Sequence, residues 1–165
     1  MKFDSLDLVV NPNLDDYLQI VDCFRNTLED PEWLSDYKTK ELIDLITNQG
    51  ADVLLFCKNN KPVCSTMLIP VCDLVKKKLD KKINSENVIG FGSTFCLPEY
   101  GSKELDVKVI DYLAKSLKKD HFKNILVYIH PDNKDYMKKI VEDNFIKVGP
   151  VDLEIGRRII FMKKI

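Results

Sequence analysis

The chain has 165 residues, of which 45% are hydrophobic and 31% are charged, and its formal net charge is −1. This composition excludes a disordered chain and argues against bulk nucleic-acid binding, which needs a basic surface. No apolar run approaches the ~20 residues of a membrane helix, and the first residues, MKFDSLD, lack signal-peptide features. We therefore expect a single cytoplasmic domain over residues 1–165 that binds neither membrane nor nucleic acid.

The cysteine and histidine content argues against a metal site. The five cysteines are scattered and form no CxxC pair (Cys23, Cys57, Cys64, Cys72, Cys96). Most of them stand in apolar runs, which predicts reduced, buried thiols in a reducing cytosol. Only two histidines are present, so we expect no zinc cluster.

Charge is distributed unevenly along the chain. Residues 1–52 hold 12 acids and 4 bases, whereas residues 53–165 hold 14 acids and 21 bases. One interpretation is a chance spread over solvated faces. The other is an acidic part that faces a cationic ligand and a basic part that faces an anionic one.

The first half of the chain predicts a strand, two helices and a hairpin. LDLVV (6–10) is rich in β-forming residues, and Asn13 is a suitable cap for a helix with apolar residues at helical spacing. A second helix is expected over 37–48. The stretch 51–71 predicts a hairpin with its turn at Asn59-Asn60.

The second half predicts the central part of a sheet. KKKLDKK (76–82) is expected to be a solvated loop or short helix, or else a phosphate-facing patch. VIGFGSTFC (88–96) predicts a strand, and its glycines are typical of a bulge or of a ligand lying against the backbone. The turn LPEYGSKELD then leads into a helix over 103–119. KNILVYIH (123–130) is apolar on both faces and predicts a central strand, before a short helix and two final strands.

The order of these elements predicts the fold class. Strand, turn, helix and strand in the middle imply a parallel pair with a right-handed crossover, and the hairpins on either side are antiparallel. We expect a three-layer α/β/α fold. Its sheet is mixed and largely antiparallel, with about six or seven strands, one parallel splayed pair and about four flanking helices.

Three stretches resemble the GNAT acyltransferases. CLPEYGSKELDVKVIDYL resembles their strand, pyrophosphate loop and helix, and ILVYIHPDNKDYMKKIVEDNFIKVG resembles the next strand, its Asn and the following helix. MLIPV stands where their third strand lies. The resemblance implies that acetyl-CoA, bound between the strands at 88–97 and 124–130, gives its acetyl group to a primary amine by direct attack in a ternary complex.

The resemblance also implies a set of partners and contacts. The acceptor, a small molecule or peptide, enters past the two N-terminal helices, whose acidic excess suits a cationic amine. The protein is a monomer or homodimer without a metal. The implied cofactor-binding residues come from the strand, the loop and the next helix (Phe95, Cys96, Leu97, Gly101, Ser102, Lys103, Glu104, Leu105, Asn133, Tyr136).

The loop departs from the family's pattern, Gln/Arg-x-x-Gly-x-Gly/Ala. Gly101 replaces the donor, while Glu104 and Asp106 replace the glycines. A carboxylate ~4 Å from a phosphate repels it by ~1 kcal/mol in water and ~4 kcal/mol near a protein surface. One interpretation is weakened binding through the N–H groups of residues 102–105 and the charge of Lys103. The other is a helix capped by Ser102 and neutralised by its own acids.

The catalytic residues are less well defined. The strand at 88–97 holds no acid, so His130 is the candidate general base, with a structural histidine or a water relay as alternatives. The family's general-acid Tyr falls at Ile140. Tyr136, one turn earlier, is the candidate, or else only packs. We do not expect Cys96 to be a nucleophile. These departures leave a second hypothesis, a catalytically impaired GNAT-fold binding or regulatory module with weak or no CoA binding.

Overall fold

The computed structural model describes residues 6–27, 38–81, 83–97 and 121–165. The strands are β1 (Asp7–Val10), β2 (Asp52–Lys58), β3 (Lys61–Pro70), β4 (Val88–Cys96), β5 (Asn124–Ile129), β6 (Ile146–Leu153) and β7 (Gly156–Lys164). The helices are α1 (Leu14–Thr27), α2 (Thr39–Thr47), the short α3 (Asp73–Lys76) and α4 (Lys134–Glu142), with a 3-10 turn at Ser85–Asn87. The helix predicted over 103–119 lies outside the described residues.

The strands form a seven-stranded sheet in the order β1-β2-β3-β4-β5-β7-β6. The pair β4–β5 is parallel, whereas β1–β2, β2–β3, β5–β7 and β6–β7 are antiparallel. The predicted mixed sheet with one parallel pair is therefore confirmed. Among the described residues, no helix is long and apolar enough to cross a membrane.

The chain divides into two compact units. The first unit holds α1, α2, β1, β2, nearly all of β3 and the part of β4 from Gly92 onward. The second unit holds α3, the part of β4 up to Phe91, β5, β6, β7 and α4. The expectation of one domain stays a prediction.

In the first unit, single asparagine residues determine where α1 begins and how β2 is joined to β3. The Asn13 side-chain oxygen accepts the N–H of Asp15 at 2.9 Å, and this bond begins α1. Asn59 and Asn60 both adopt left-handed backbone angles, φ 50° and 60°, as a two-residue type I′ turn requires. The predicted turn between β2 and β3 is therefore confirmed.

The core of the first unit lies between the two helices and the strands. It consists of Tyr17, Val21, Phe24, Leu42, Leu45, Ala51, Val53, Met67, Ile69 and Phe95. The helical spacing of the apolar residues in α1 explains why three of them face inward. This packing fixes one face of β3 and β4 against the helices.

In the second unit, β5 is the central strand. Its parallel register with β4 runs from Val88 opposite Asn124 to Phe91 opposite Val127. On its other edge β5 pairs with β7, and β7 in turn pairs with β6. A second core joins these strands to α3, namely Val71, Val75, Leu79, Val88, Leu126, Val151 and Ile160.

Candidate active site

Three contacts define how β3 and β4 lie side by side within the first unit. The N–H of Leu97 donates to the carbonyl of Val63 at 2.9 Å. Cys64 and Cys96 are joined as a disulfide, with Cα atoms 4.1 Å apart. The Thr66 and Thr94 hydroxyl oxygens are 2.9 Å apart. All three contacts fit a single antiparallel register.

This register determines which edge of β4 the backbone N–H and C=O of Cys96 face. Because the N–H of Leu97 points at β3, and backbone groups alternate along a strand, the N–H and C=O of Cys96 point to the opposite edge of β4. The register with β5 extends only to Phe91, whereas β4 continues to Cys96. The predicted contact of this backbone with a thioester arm stays a prediction.

The neighbouring side chains are structural. Phe95 is completely buried in the core of the first unit, where its ring stacks on Phe24 with centroids 6.4 Å apart. Leu97 is half-buried and packs against the same core. By the alternation that turns Cys96 away from β3, the backbone groups of Phe95 and Leu97 face β3. Their predicted contact with a cofactor stays a prediction.

The backbone of β4 is irregular at Ser93. This residue has φ 50°, in the left-handed region that non-glycine residues rarely adopt. On the strand before it, the Thr66 hydroxyl lies 3.1 Å from the Gly92 carbonyl and donates to it. The glycines of VIGFGSTFC predict irregular backbone here, and the left-handed residue is the serine that follows them.

The disulfide corrects the expectation of reduced thiols. Cys64 and Cys96 are both buried and belong to neighbouring strands, so their side chains meet on one face. Cys57 is buried and free, whereas Cys23 and Cys72 are free and exposed. The expectation of reduced thiols is therefore wrong for Cys64 and Cys96, and the expectation of burial is wrong for Cys23 and Cys72. Sequence spacing did not reveal the bridge because it depends on the pairing of β3 with β4.

His130 follows β5 and is held by its own turn. Its Nδ1 accepts the N–H of Asp132 at 3.3 Å and lies 3.8 Å from that residue's carboxylate. The side chain is 35% exposed. The structural alternative for this histidine is a bond to a loop carbonyl, whereas the partner in this contact is a loop N–H. The role of His130 as a general base stays a prediction.

Helix α4 positions Asn133 and Tyr136. The Asn133 side-chain oxygen caps the helix by accepting the N–H of Tyr136 at 3.2 Å. Tyr136 is half-buried, and the Lys139 ammonium lies 5.9 Å from its ring centre. Ile140, at the position of the family's Tyr, is completely buried and adds to the apolar core.

The remaining predicted residues lie outside the described part of the chain. They are Gly101, Ser102, Lys103, Glu104, Leu105 and Asp106. Among the described residues, no cluster of three or more His, Cys, Asp or Glu is placed to hold a metal ion. Sequence reasoning missed Thr66 and Ser93. Only the glycines beside Ser93 gave any signal of this irregularity.

Comparison with known proteins identifies the fold. The sequence matches no family model and no curated protein. The structure is similar to an aminoglycoside N(6′)-acetyltransferase from Legionella pneumophila, with TM-score 0.69, 15% identity and coverage of 99% of this chain and 94% of that one. It is also similar to a GNAT-family acetyltransferase from Streptococcus agalactiae, with TM-score 0.68, 14% identity and coverage of 100% and 98%.

A third similar structure was solved as a complex with two bound molecules. It is AAC(6′)-Ib in complex with paromomycin and acetyl-CoA, with TM-score 0.68, 13% identity and coverage of 96% of this chain and 93% of that one. Similarity to structures of such low sequence identity shows the fold alone. Here the similar fold extends over nearly the whole chain. The protein therefore has the fold of the GNAT acetyltransferases.

Proposed function

We propose that this protein is an N-acetyltransferase that moves the acetyl group of acetyl-CoA to a primary amine by direct attack in a ternary complex. The observation that carries the proposal is the backbone of β4. There the N–H and C=O of Cys96 point away from β3, where the resemblance expects the thioester arm to pair. Several similar structures hold CoA or acetyl-CoA, which supports the same donor.

The proposed reaction needs no covalent enzyme intermediate. The neutral amine nitrogen attacks the thioester carbonyl carbon, so that a C–N bond forms and the C–S bond breaks. The nitrogen loses one proton, and the sulfur of the leaving CoA gains one. A backbone N–H near Cys96 would donate to the carbonyl oxygen as negative charge develops on it.

Two described side chains are proposed for the proton transfers. Tyr136 is half-buried on the first turns of α4, and its hydroxyl is the proposed donor to the leaving sulfur. His130 is the proposed base. Its Nδ1 must first release the N–H of Asp132, since that contact occupies the lone pair that would take the proton.

The proposed acceptor is a cationic amine, either a small molecule or a peptide. The first turn of α1 presents Asp15 and Asp16, both exposed, and residues 1–52 carry a net charge of −8. AAC(6′)-Ib has been solved with kanamycin, an acceptor class that suits the same charge. A cytoplasmic location and a monomeric or homodimeric state are part of this proposal.

A second function is favoured by specific departures from the family's pattern. Glu104 and Asp106 replace glycines, Gly101 replaces a donor, and the completely buried Ile140 replaces the family's Tyr. Together these residues favour a GNAT-fold binding or regulatory module with weak or no affinity for CoA. The two functions differ in whether acetyl-CoA binds.

Calorimetric titration with acetyl-CoA separates the two functions. We expect the native protein to bind with a micromolar Kd, which corresponds to ~−8 kcal/mol. The variant Glu104→Gly/Asp106→Gly should bind more tightly because it removes two charges and frees the backbone. The matched variant Glu104→Gln/Asp106→Asn removes the charges alone.

The outcomes are distinct. Binding by the native protein supports the transferase and justifies a screen of amines with a thiol-release assay. Binding by both variants but not by the native protein means that the carboxylates block the anion site, and it favours the module. Binding by the glycine variant alone means that the restricted backbone at positions 104 and 106 prevents binding in the native protein, and that the two negative charges do not.

A further inference from the structure

The irregular backbone of β4 lies beside a pair of hydroxyl groups. The Gly92 carbonyl accepts a hydrogen bond from the side chain of Thr66 on β3. The next residue, Ser93, has the left-handed φ of 50°.

The number of hydroxyl hydrogens determines which group donates in each hydrogen bond between Thr66, Thr94 and Gly92. Thr66 is completely buried, and its single hydroxyl hydrogen goes to the Gly92 carbonyl. The contact of 2.9 Å between Thr66 and Thr94 must therefore take its hydrogen from Thr94. Both threonines are satisfied, and the Gly92 carbonyl is held by a side chain of β3.

Ser93 differs from both threonines. Its hydroxyl oxygen is buried and has no hydrogen-bond partner among the described residues. Leaving a buried hydroxyl unpaired is costly, and such a group in a native fold calls for a physical reason. The residue as a whole is only half-buried.

We propose that Ser93 is a further substrate-binding residue, whose hydroxyl donates to a carbonyl oxygen of the acyl donor, and that Thr66 is the positioning residue that holds the backbone beside it. The inference rests on the proposed function and deepens it. The carbonyl belongs either to the thioester or to an amide of the pantetheine arm. Both present the same neutral acceptor to a serine hydroxyl.

The first experiment compares Ser93→Ala with the native protein by calorimetry, using acetyl-CoA and CoA as separate ligands. We expect the melting temperature to be unchanged or raised, because the variant removes an unpaired buried hydroxyl. We expect acetyl-CoA affinity to fall about tenfold, as for the loss of one hydrogen bond. Loss for acetyl-CoA alone identifies the thioester carbonyl, whereas loss for both ligands identifies a pantetheine amide.

The second experiment tests Thr66 through Thr66→Val and Thr66→Ser. Valine keeps the shape and removes the hydroxyl, whereas serine keeps the hydroxyl. We expect Thr66→Val to weaken acetyl-CoA binding and Thr66→Ser to restore it. Ser65→Ala is the matched control, because Ser65 is the neighbouring buried hydroxyl on β3 and contacts Tyr17 at 3.4 Å on the helix side. It should lower stability without changing affinity.

The possible failures can be told apart. If the native protein binds neither ligand at millimolar concentration, both the inference and the proposed transferase are overturned. If the native protein binds but Ser93→Ala binds equally well, the inference alone is overturned. Equal loss of affinity in Thr66→Val and Thr66→Ser would refute the positioning role of the hydroxyl.

Discussion

Cys64 on β3 lies opposite Cys96 on β4, and the two sulfurs are joined. The bridge closes a loop with a sequence separation of 32 residues. It therefore links a strand of the first unit's hairpin covalently to the strand that the resemblance assigns to the thioester arm. The free thiols are those of Cys23, Cys57 and Cys72.

Counting thiols tests this bridge. We expect three alkylated cysteines in protein denatured without reductant, and five after reduction, by intact mass after iodoacetamide treatment. Reduction should lower the free energy of unfolding by roughly 2–4 kcal/mol. The variant Cys64→Ser/Cys96→Ser should show three modified residues under both conditions. Five modified residues without reductant would contradict the bridge.

The buried phenol of Tyr17 predicts a pH effect on stability. Burial of its side chain on the inner face of α1 raises the pKa of Tyr17 from 10.0 to about 12. The Ser65 hydrogen bond and Arg25 lower the pKa by smaller amounts. As the pH rises, the unfolded chain therefore loses the phenol proton before the folded chain does. The part of the unfolding free energy that depends on this proton is present below pH 10 and is lost as the pH rises towards 12. At 1.36 kcal/mol per unit the loss is about 3 kcal/mol.

Chemical denaturation at several pH values measures this loss. Tyr17→Phe should flatten the fall in unfolding free energy between pH 10 and 12, and the difference from the native protein isolates Tyr17 from the titrating lysines. Parallel curves for the two proteins would show that the phenol does not titrate as the burial requires.

Two asparagine caps provide a matched pair of variants. Asn13 caps α1 and Asn133 caps α4, each through its side-chain oxygen. Replacing either by Ala should cost ~1 kcal/mol of stability. Only Asn133→Ala should also weaken acetyl-CoA binding, because the resemblance places this residue against the CoA arm. Equal affinity in both variants would leave Asn133 with a capping role alone.

Tyr136→Phe tests the proposed proton donor. We expect kcat to fall at least about tenfold with little change in KM, because a general acid acts in the transition state. The test uses whichever amine the screen identifies, in a steady-state assay over a range of pH. A variant with native kcat would mean that Tyr136 only packs beside Lys139.

Much of the fold could be predicted because its signals are local. The strand predicted at 88–96 matches β4, and the Asn59-Asn60 turn joins β2 to β3 as expected. Alternation, helical spacing and caps act within a few residues, so a sequence displays them directly. The parallel pairing of β4 with β5 could be predicted from the order of the strands and helices along the chain.

The candidate site was harder to predict because its contacts are distant in sequence. The bridge from Cys64 to Cys96 and the bond from Thr66 to Gly92 both depend on which residues of β3 and β4 face each other. Strand register is set by whole-sheet packing and leaves no local signature. The contact between His130 Nδ1 and the N–H of Asp132 depends on a turn geometry that no motif encodes.

The position of β7 between β5 and β6 makes two other strands depend on it for pairing. In the order of the described strands, β6 is bonded to β7 alone. Until β7 pairs with β5, β5 keeps one edge open and β6 has no partner strand. A folding intermediate in which β7 has not yet paired is therefore exposed to aggregation through strand edges.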